Sequence, residues 1–174
     1  MRILLDATTL IGLGTVGELD LLTNFDGDLV VPPVVHDEVT TEPARTNLER
    51  LCESHDILMD CPSTGPQLDR AQELLGDEAV TGDVQLVATF LAALDDDQPV
   101  ALVSDDRRLR TVADGFDVTV TGTIGVVVRA VEEGRSPSSG KRLVRQLDEH
   151  GLHMTGELRE RADELIEEAA DRRD

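Results

Sequence analysis

The chain has 174 residues, of which 40% are hydrophobic and 2% aromatic, and its 36 acidic and 16 basic residues give a formal charge of −20 at pH 7. This length and apolar content predict one domain with a sizeable aliphatic core. No apolar run approaches the roughly 18 residues that a membrane span needs. The N-terminus also lacks the order of regions that marks a signal peptide, so we expect a cytoplasmic protein without a membrane partner.

The acidic residues lie among ordered aliphatic patterns, which disordered acidic chains lack. The basic residues are nearly all arginine, with Lys141 as the single lysine. An acid-rich surface with almost no lysine is typical of a protein from a salt-loaded cytoplasm, because molar salt screens the self-repulsion. The sequence therefore predicts a halophilic protein. Its overall charge argues against diffuse binding of nucleic acid but leaves a local contact open.

Short apolar runs rich in β-branched residues predict strands that are covered on both faces. They lie at residues 3–5, 29–31, 100–103 and 118–120, with a weaker one at 57–59. Helical patterns lie between them, the clearest being an apolar stripe over residues 84–94. Alternating strands and helices predict an α/β fold with a central parallel sheet of four to five strands flanked by helices.

The last 40 residues predict a C-terminal helical extension. Residues 136–140, SPSSG, separate it from the preceding chain. Leu143, Leu147 and Leu152 indicate one helix, and Thr155 is a possible cap for a final one. The apolar face of that final helix would comprise Leu158, Ala162, Leu165, Ile166 and Ala169. We therefore divide the chain into a body of residues 1–134 and an extension of residues 135–174 that belongs to the same domain.

Residues 12–17, GLGTVG, match the G-x-G-x-x-G pattern of dinucleotide-binding loops. That loop requires a strand leading directly into the first glycine and an acid about 20 residues later, at the end of the second strand. Here the first strand ends at Asp6, a helix starts at Thr8 or Thr9, and the second strand ends in VPP. The pattern favours a helix of small residues packed closely on a neighbour, and we expect no nicotinamide cofactor.

Several acidic residues follow predicted strands or open predicted helices. They are Asp6 after the first strand, Glu38 after the second, Asp83 behind the helix cap Thr81, and Asp105 and Asp106 after a later strand. Because the carboxyl ends of parallel strands meet at one edge of a sheet, these acids can converge. Converging carboxylates repel one another unless a cation holds them, and hard oxygen ligands select Mg²⁺ or Mn²⁺. Each acid also has a structural explanation, since acids stabilise the first turn of a helix.

The order of these segments resembles that of the PIN-domain family, the nuclease fold of VapC-like toxins. Residues 3–8, ILLDAT, resemble its opening strand with the first metal acid and a following hydroxyl residue. Residues 31–39, VPPVVHDEV, and 82–88, GDVQLVA, resemble the segments of the second and third acids. Residues 103–110, VSDDRRLR, resemble the fourth, and residues 120–127, VTGTIGVV, resemble the closing strand-to-helix turn of the DUF3368-type subgroup. That subgroup also tends to end in a helical pair.

The resemblance implies a PIN-like three-layer fold and a metal-dependent endoribonuclease. The ligands of Mg²⁺ or Mn²⁺ would be Asp6, Glu38, Asp83 and Asp106, with Asp105 as an alternative to Asp106 and with Asp77 or Glu78 as alternatives to Asp83. Thr8 or Ser104 would hydrogen-bond a ligand or the phosphate. Arg107, Arg108 and Arg110 would either contact RNA phosphates or form a solvated face that balances the acids.

The partners that the resemblance implies are RNA, a small antitoxin if the protein is the toxin of a toxin–antitoxin pair, and a second copy of the chain in a homodimer. Two other functions stay open. One is a catalytically silent PIN-fold scaffold that binds RNA or protein. The other is a nucleotide-binding or phosphatase-like α/β protein that uses the same carboxylates or the glycine-rich residues 12–17.

Overall fold

A computed structural model describes residues 1–59, 61 and 65–173 of the chain. Its sheet has four parallel strands in the order β2-β1-β3-β4, with Ile3 paired to Leu29 on one side and to Ala101 on the other. The strands are β1 Arg2–Leu5, β2 Asp28–Val30, β3 Val100–Val103 and β4 Thr119–Thr121. The central strand β1 is buried almost throughout, as expected of an apolar strand covered on both faces.

Helices cover both faces of this sheet. They are α1 Ala7–Thr15, α2 Pro33–Glu38, α3 Ala44–Ser54, α4 Gly65–Leu75, α5 Gly82–Asp95, α6 Arg107–Asp114, α7 Thr123–Glu132, α8 Pro137–Glu149 and α9 Gly156–Arg173, with a 3-10 helix at Leu19–Asn24.

The crossover from β1 to β2 runs in the opposite direction to those that lead to β3 and β4. Right-handed crossovers therefore place α1 on one face and α5 and α6 on the other. Contacts of α7 with α1, α8 and α9 extend the first layer. The predicted α/β fold with a parallel sheet and a C-terminal helical segment is confirmed.

The direction of the crossovers reverses between β1 and β3. In an open parallel sheet such a reversal opens a crevice beyond the carboxyl ends of the two strands. Asp6 directly follows β1, and Ser104 directly follows β3. The fold thus brings two polar residues, 98 positions apart in the sequence, to the same crevice.

The weak strand predicted at residues 57–59 is a single parallel bridge. Leu58 pairs with Val30 at the edge of the sheet, donating its N–H to the carbonyl of Leu29 and accepting from Val31. The loop that follows includes residues outside the described part of the chain. The preceding residues 44–54, for which the sequence predicted no element, form α3.

The glycine-rich residues 12–17 belong mostly to α1, which begins at Ala7, one residue before the predicted start. The interpretation as a closely packed helix is correct, because Gly14 lies against α3. A Cβ on Gly14 would be 2.9 Å from the Cα of Ala44. The close approach of these two helices requires a residue without a side chain at this position.

Residues 136–140, which the sequence predicted to separate the C-terminal segment from the body, form the start of the first helix of that segment. Ser136 caps α8 by accepting from the N–H of Ser139, and Pro137 occupies the first turn of that helix. Thr155 accepts from the N–H of Leu158 at the start of α9, as predicted. The apolar face of α9 differs in one member, since Leu158 is 43% exposed. No helix in the described part of the chain is both long and apolar enough to span a membrane.

Candidate active site

Asp6 is the buried carboxylate of the crevice between β1 and β3, with 3% of its surface exposed. Its Oδ2 accepts hydrogen bonds from the hydroxyls of Thr8, at 2.5 Å, and Ser104, at 2.7 Å. Desolvation raises the pKa of Asp6, and the charge of Asp83 raises it further, while the two hydroxyls act in the opposite direction. Asp6 is therefore an electrostatically costly anion held in one orientation.

Ser104 connects Asp6 to the start of α6. Its buried hydroxyl donates to Asp6 and accepts from the backbone N–H of Asp106 at 3.0 Å. Asp106 caps α6 with Oδ1, which accepts from the N–H of Leu109 at 2.8 Å. The Nη1 of Arg110 donates to the Ser104 carbonyl at 3.0 Å and holds the same turn from the other side. One hydroxyl thus joins the carboxylate of Asp6 to the backbone of Asp106.

Asp105 faces a different element from Asp106. Both of its carboxylate oxygens lie 3.1 Å from the backbone N of Thr123, and Oδ2 also accepts from the Thr123 hydroxyl. These bonds provide an acceptor for the free N–H of Thr123 at the N-terminus of α7, since the cap residue Gly122 has no side chain that could accept it. The predicted alternative ligand Asp105 therefore joins the ends of β3 and β4. No local pattern in the sequence marks Thr123 as a partner of Asp105, 18 residues earlier in the chain.

Glu38 reaches the site from the end of α2. Its Oε1 accepts from the N–H of Gly82, at 2.9 Å, in the first turn of α5. A Cβ on Gly82 would lie 2.5 Å from Oε2 of Glu38, so the missing side chain makes room for the carboxylate. At the other end of α2, the N–H of Val34 donates to Oε1 of Gln85, also on α5. Gln85, which the sequence did not single out, thus fixes α2 so that Glu38 lies beside α5 and near Asp83.

Asp83 lies in the first turn of α5, which the Thr81 hydroxyl caps as predicted. Its Oδ2 accepts from Nη2 of Arg108 at 2.8 Å. The same guanidinium makes two bonds to Asp77, Nη1 to Oδ1 at 3.0 Å and Nη2 to Oδ2 at 3.1 Å. The hydrogen bonds with Asp77 and Asp83 raise the pKa of Arg108 above its ordinary value, so it stays charged at every accessible pH. Asp77, an alternative third acid in the sequence, is thus linked to Asp83 through an arginine.

The donor set of this site fits a hard divalent cation by its chemistry. The predicted ligands all offer carboxylate oxygens, and the buried carboxylate of Asp6 is bonded by two neutral hydroxyls, which do not neutralise its charge. Within the described ranges, however, no three His, Cys, Asp or Glu side chains lie close enough together to hold a metal ion. Asp83 is instead bonded to Arg108, and Asp105 to Thr123. The predicted ligand set stays a prediction.

Arg107 and a cleft beside α3 lie outside this set of contacts. Arg107, the first residue of α6, is exposed next to Asp106. A cleft of about 480 Å³ lies between the 3-10 helix and α3, with Gly17 and Asn47 in its lining. Gly17 follows the C-terminal end of α1, whereas Asp6 precedes its N-terminal end. That cleft is therefore at the opposite end of the helix from the acids.

Comparison with known proteins identifies the family of the chain. A search of curated proteins finds no match to the chain. A family model, DUF3368, described as a PIN domain, matches residues 2–168. The match includes the sheet, all the acids discussed above and most of the C-terminal helical segment. PIN domains are generally nucleases and typically use divalent metals. The chain belongs to the PIN-domain family.

Proposed function

We propose that the protein is a metal-dependent endoribonuclease that hydrolyses RNA phosphodiester bonds with Mg²⁺ or Mn²⁺. The observation that carries the proposal is the environment of Asp6. It is a buried carboxylate at the crevice between β1 and β3, fixed by the hydroxyls of Thr8 and Ser104. A carboxylate that burial disfavours as an anion gains most from a bound cation. This supports Asp6 as the first ligand.

The other proposed ligands belong to the ends of neighbouring helices. Glu38 lies against the first turn of α5, Asp83 belongs to that turn, and Asp106 opens α6. A bound ion would position the RNA phosphate and lower the pKa of the water that attacks it. Ser104 would fix the position of Asp6 relative to the start of α6, because its hydroxyl donates to the Asp6 carboxylate and accepts from the backbone N–H of Asp106. The exposed Arg107 is suited to bind a neighbouring phosphate.

The proposal is tested by incubating the purified protein with structured and unstructured RNA in molar KCl with Mn²⁺. We expect cleavage that EDTA abolishes. The Asp6→Asn variant should cleave at least about 100-fold more slowly, because it removes a charged ligand while keeping the shape of the side chain. The matched control is Asp28→Asn, which removes an exposed acid at the start of β2 and should cleave at the wild-type rate.

Two results would contradict the proposal. Cleavage that persists undiminished in Asp6→Asn would exclude Asp6 from the catalytic site. An absence of cleavage together with intact RNA binding would favour a catalytically silent scaffold. Far-UV circular dichroism of each variant, compared with wild type, separates a loss of chemistry from a loss of fold.

The toxin role is a further part of this proposal and is tested in cells. If the nuclease is the toxin of a pair, its induction should arrest growth, and the Asp6→Asn variant should not. Co-expression of a short reading frame adjacent to the gene should restore growth by supplying the antitoxin. Normal growth on induction of a protein that cleaves RNA in vitro would contradict the toxin role but leave the nuclease activity standing.

A further inference from the structure

The guanidinium of Arg108 joins three segments of the chain next to the proposed metal site. It bonds to Asp77 with two parallel hydrogen bonds, to Asp83 with one, and to the carbonyl of Leu75 at 3.3 Å. The paired bonds to Asp77 have the fork geometry that makes arginine–carboxylate contacts specific. The single bond to Asp83, from Nη2 at 2.8 Å, is therefore the contact that can break while Arg108 stays bonded to Asp77.

Asp83 cannot serve a guanidinium and a divalent cation equally well. The two cations repel each other, and both require the oxygens of one carboxylate. Loss of the Nη2–Asp83 bond would leave the bidentate contact with Asp77 to hold Arg108. The side chain of Arg108 is 47% exposed, whereas those of Asp77 and Asp83 are 22% and 24% exposed. Arg108 therefore has space to shift towards solvent, and the two acids have less.

We propose that Arg108 is a built-in counter-cation for Asp83, which holds this carboxylate in the metal-free protein and so lowers the affinity of the site for a divalent ion. Arg108 is a positioning residue, with Asp77 as its anchor. The inference rests on the proposed metal site and adds a competitor to it.

The test is titration of the metal-free protein with MnCl₂ by isothermal calorimetry in about 1 M KCl, without RNA. Arg108→Gln removes the competing charge, and the matched control Arg107→Gln removes the same charge from the adjacent, exposed position. At this salt concentration long-range effects of either charge are screened within about 3 Å. We expect Arg108→Gln to bind Mn²⁺ about 3- to 10-fold more tightly than wild type, as the loss of one charged contact implies. Arg107→Gln should change the affinity by less than about twofold.

A second pair of variants tests whether the gain in Mn²⁺ affinity depends on Asp83. The Arg108→Gln/Asp83→Asn double variant should not show the tighter Mn²⁺ binding of Arg108→Gln, because the carboxylate that Arg108 releases is then missing. Arg108→Lys keeps the charge but not the fork, so its affinity should lie between those of wild type and Arg108→Gln. This conservative variant also carries the test if Arg108→Gln does not fold.

Several results would overturn the inference. If Mn²⁺ binds to wild type but no more tightly to Arg108→Gln than to Arg107→Gln, Arg108 is not a competitor. If the gain survives in the double variant, it comes from another site. Mn²⁺ binding to none of the proteins would instead refute the proposed metal site itself, which distinguishes failure of the proposed function from failure of this inference.

Discussion

Asp6 couples the stability of the metal-free protein to pH. Its pKa is raised chiefly by burial, so the native state favours the protonated carboxyl. This contribution to stability is complete below the ordinary pKa of 3.8 and is lost as the pH rises through the raised value. In EDTA, Asp6→Asn should therefore be more stable than wild type at neutral pH. The difference between their free energies of unfolding should shrink as the pH falls towards 3.8, as measured by urea denaturation in molar KCl.

The comparison of the two proteins isolates Asp6, because all other groups titrate in both. The control Asp28→Asn, at an exposed position, should follow wild type at every pH. Addition of Mn²⁺ should stabilise wild type and leave Asp6→Asn unchanged, since a ligand stabilises only the state that binds it. A difference between Asp6→Asn and wild type that stays constant with pH would contradict the assigned cause of the pKa shift.

Asp105 and Asp106 are adjacent in the sequence but should respond differently to substitution. Asp105→Ala removes the acceptor for the N-terminus of α7, which should lower the free energy of unfolding by about 1–2 kcal/mol. Asp106→Asn keeps a good helix cap and should cost little stability. The Mn²⁺ affinity should show the opposite order, falling at least about tenfold in Asp106→Asn and remaining at the wild-type level in Asp105→Asn.

Thermal unfolding and Mn²⁺ calorimetry of these variants settle which neighbour is a ligand. A weakened Mn²⁺ affinity in Asp105→Asn with an unchanged affinity in Asp106→Asn would reverse the assignment. The distinction depends on Thr123, which lies 18 residues further along the chain. Its contact with Asp105 decides which of the two carboxylates is engaged by α7.

At the scale of elements, two glycines of α1 provide an internal comparison. A Cβ on Gly12 would meet Leu147 at 4.0 Å, an ordinary contact, so Gly12→Ala should stabilise the protein by about 0.5–1 kcal/mol through helix propensity. A Cβ on Gly14 would press on the backbone of Ala44. Overpacking of this kind costs about 1–3 kcal/mol, so Gly14→Ala should be destabilising despite the same gain in propensity.

Chemical denaturation of both variants measures the contrast. Equal stabilisation by the two substitutions would show that α1 and α3 are less closely packed than the structure has them. Neither variant should bind NAD(H). Binding of NAD(H) by wild type that Gly14→Ala abolishes would instead revive the dinucleotide interpretation of residues 12–17.

The elements that could be predicted from the sequence are those whose pattern is local. The strand that ends at Asp6 is apolar on both faces, and the cap Thr81 precedes a long apolar helix, so both were recognisable. Residues 136–140 were misinterpreted because serine, proline and glycine are typical both of separating segments and of the first turn of a helix. Residues 57–59 form only a bridge, since a single residue pairs with the edge strand β2.

The sequence singled out the acids but not the partners that the structure gives them. Because the carboxyl ends of parallel strands meet at one edge of the sheet, Asp6 and Ser104, which follow β1 and β3, come into contact. The contact of Arg108 with Asp83 spans 25 residues, and that with Asp77 spans 31. Such contacts depend on how α4, α5 and α6 pack, which no local pattern encodes. The sequence therefore left open whether Arg108 binds RNA or balances the acids, and the structure places it between two carboxylates.

At the scale of the whole molecule, the charge of −20 should make stability depend on salt. Surface ion pairs such as that of Arg45 with Glu49 are about half exposed, and such pairs contribute only about 0–1 kcal/mol each. They cannot offset the repulsion among the excess acids. Raising KCl from about 0.1 M to about 1 M shortens the screening length from about 10 Å to about 3 Å. The Tm should therefore rise across this range, as measured by differential scanning calorimetry in EDTA.

A variant with fewer acids separates this charge effect from other effects of salt. Four exposed acids on different elements and away from the proposed metal site can be replaced by their amides: Asp20, Glu53, Glu73 and Glu160. Because the variant carries less self-repulsion, it should have a higher Tm than wild type at low salt and a smaller rise of Tm with KCl. Equal salt dependence in the two proteins would show that KCl acts through hydrophobic burial or ion binding instead. A smaller dependence in the variant would show that repulsion among surface acids makes the stability depend on salt.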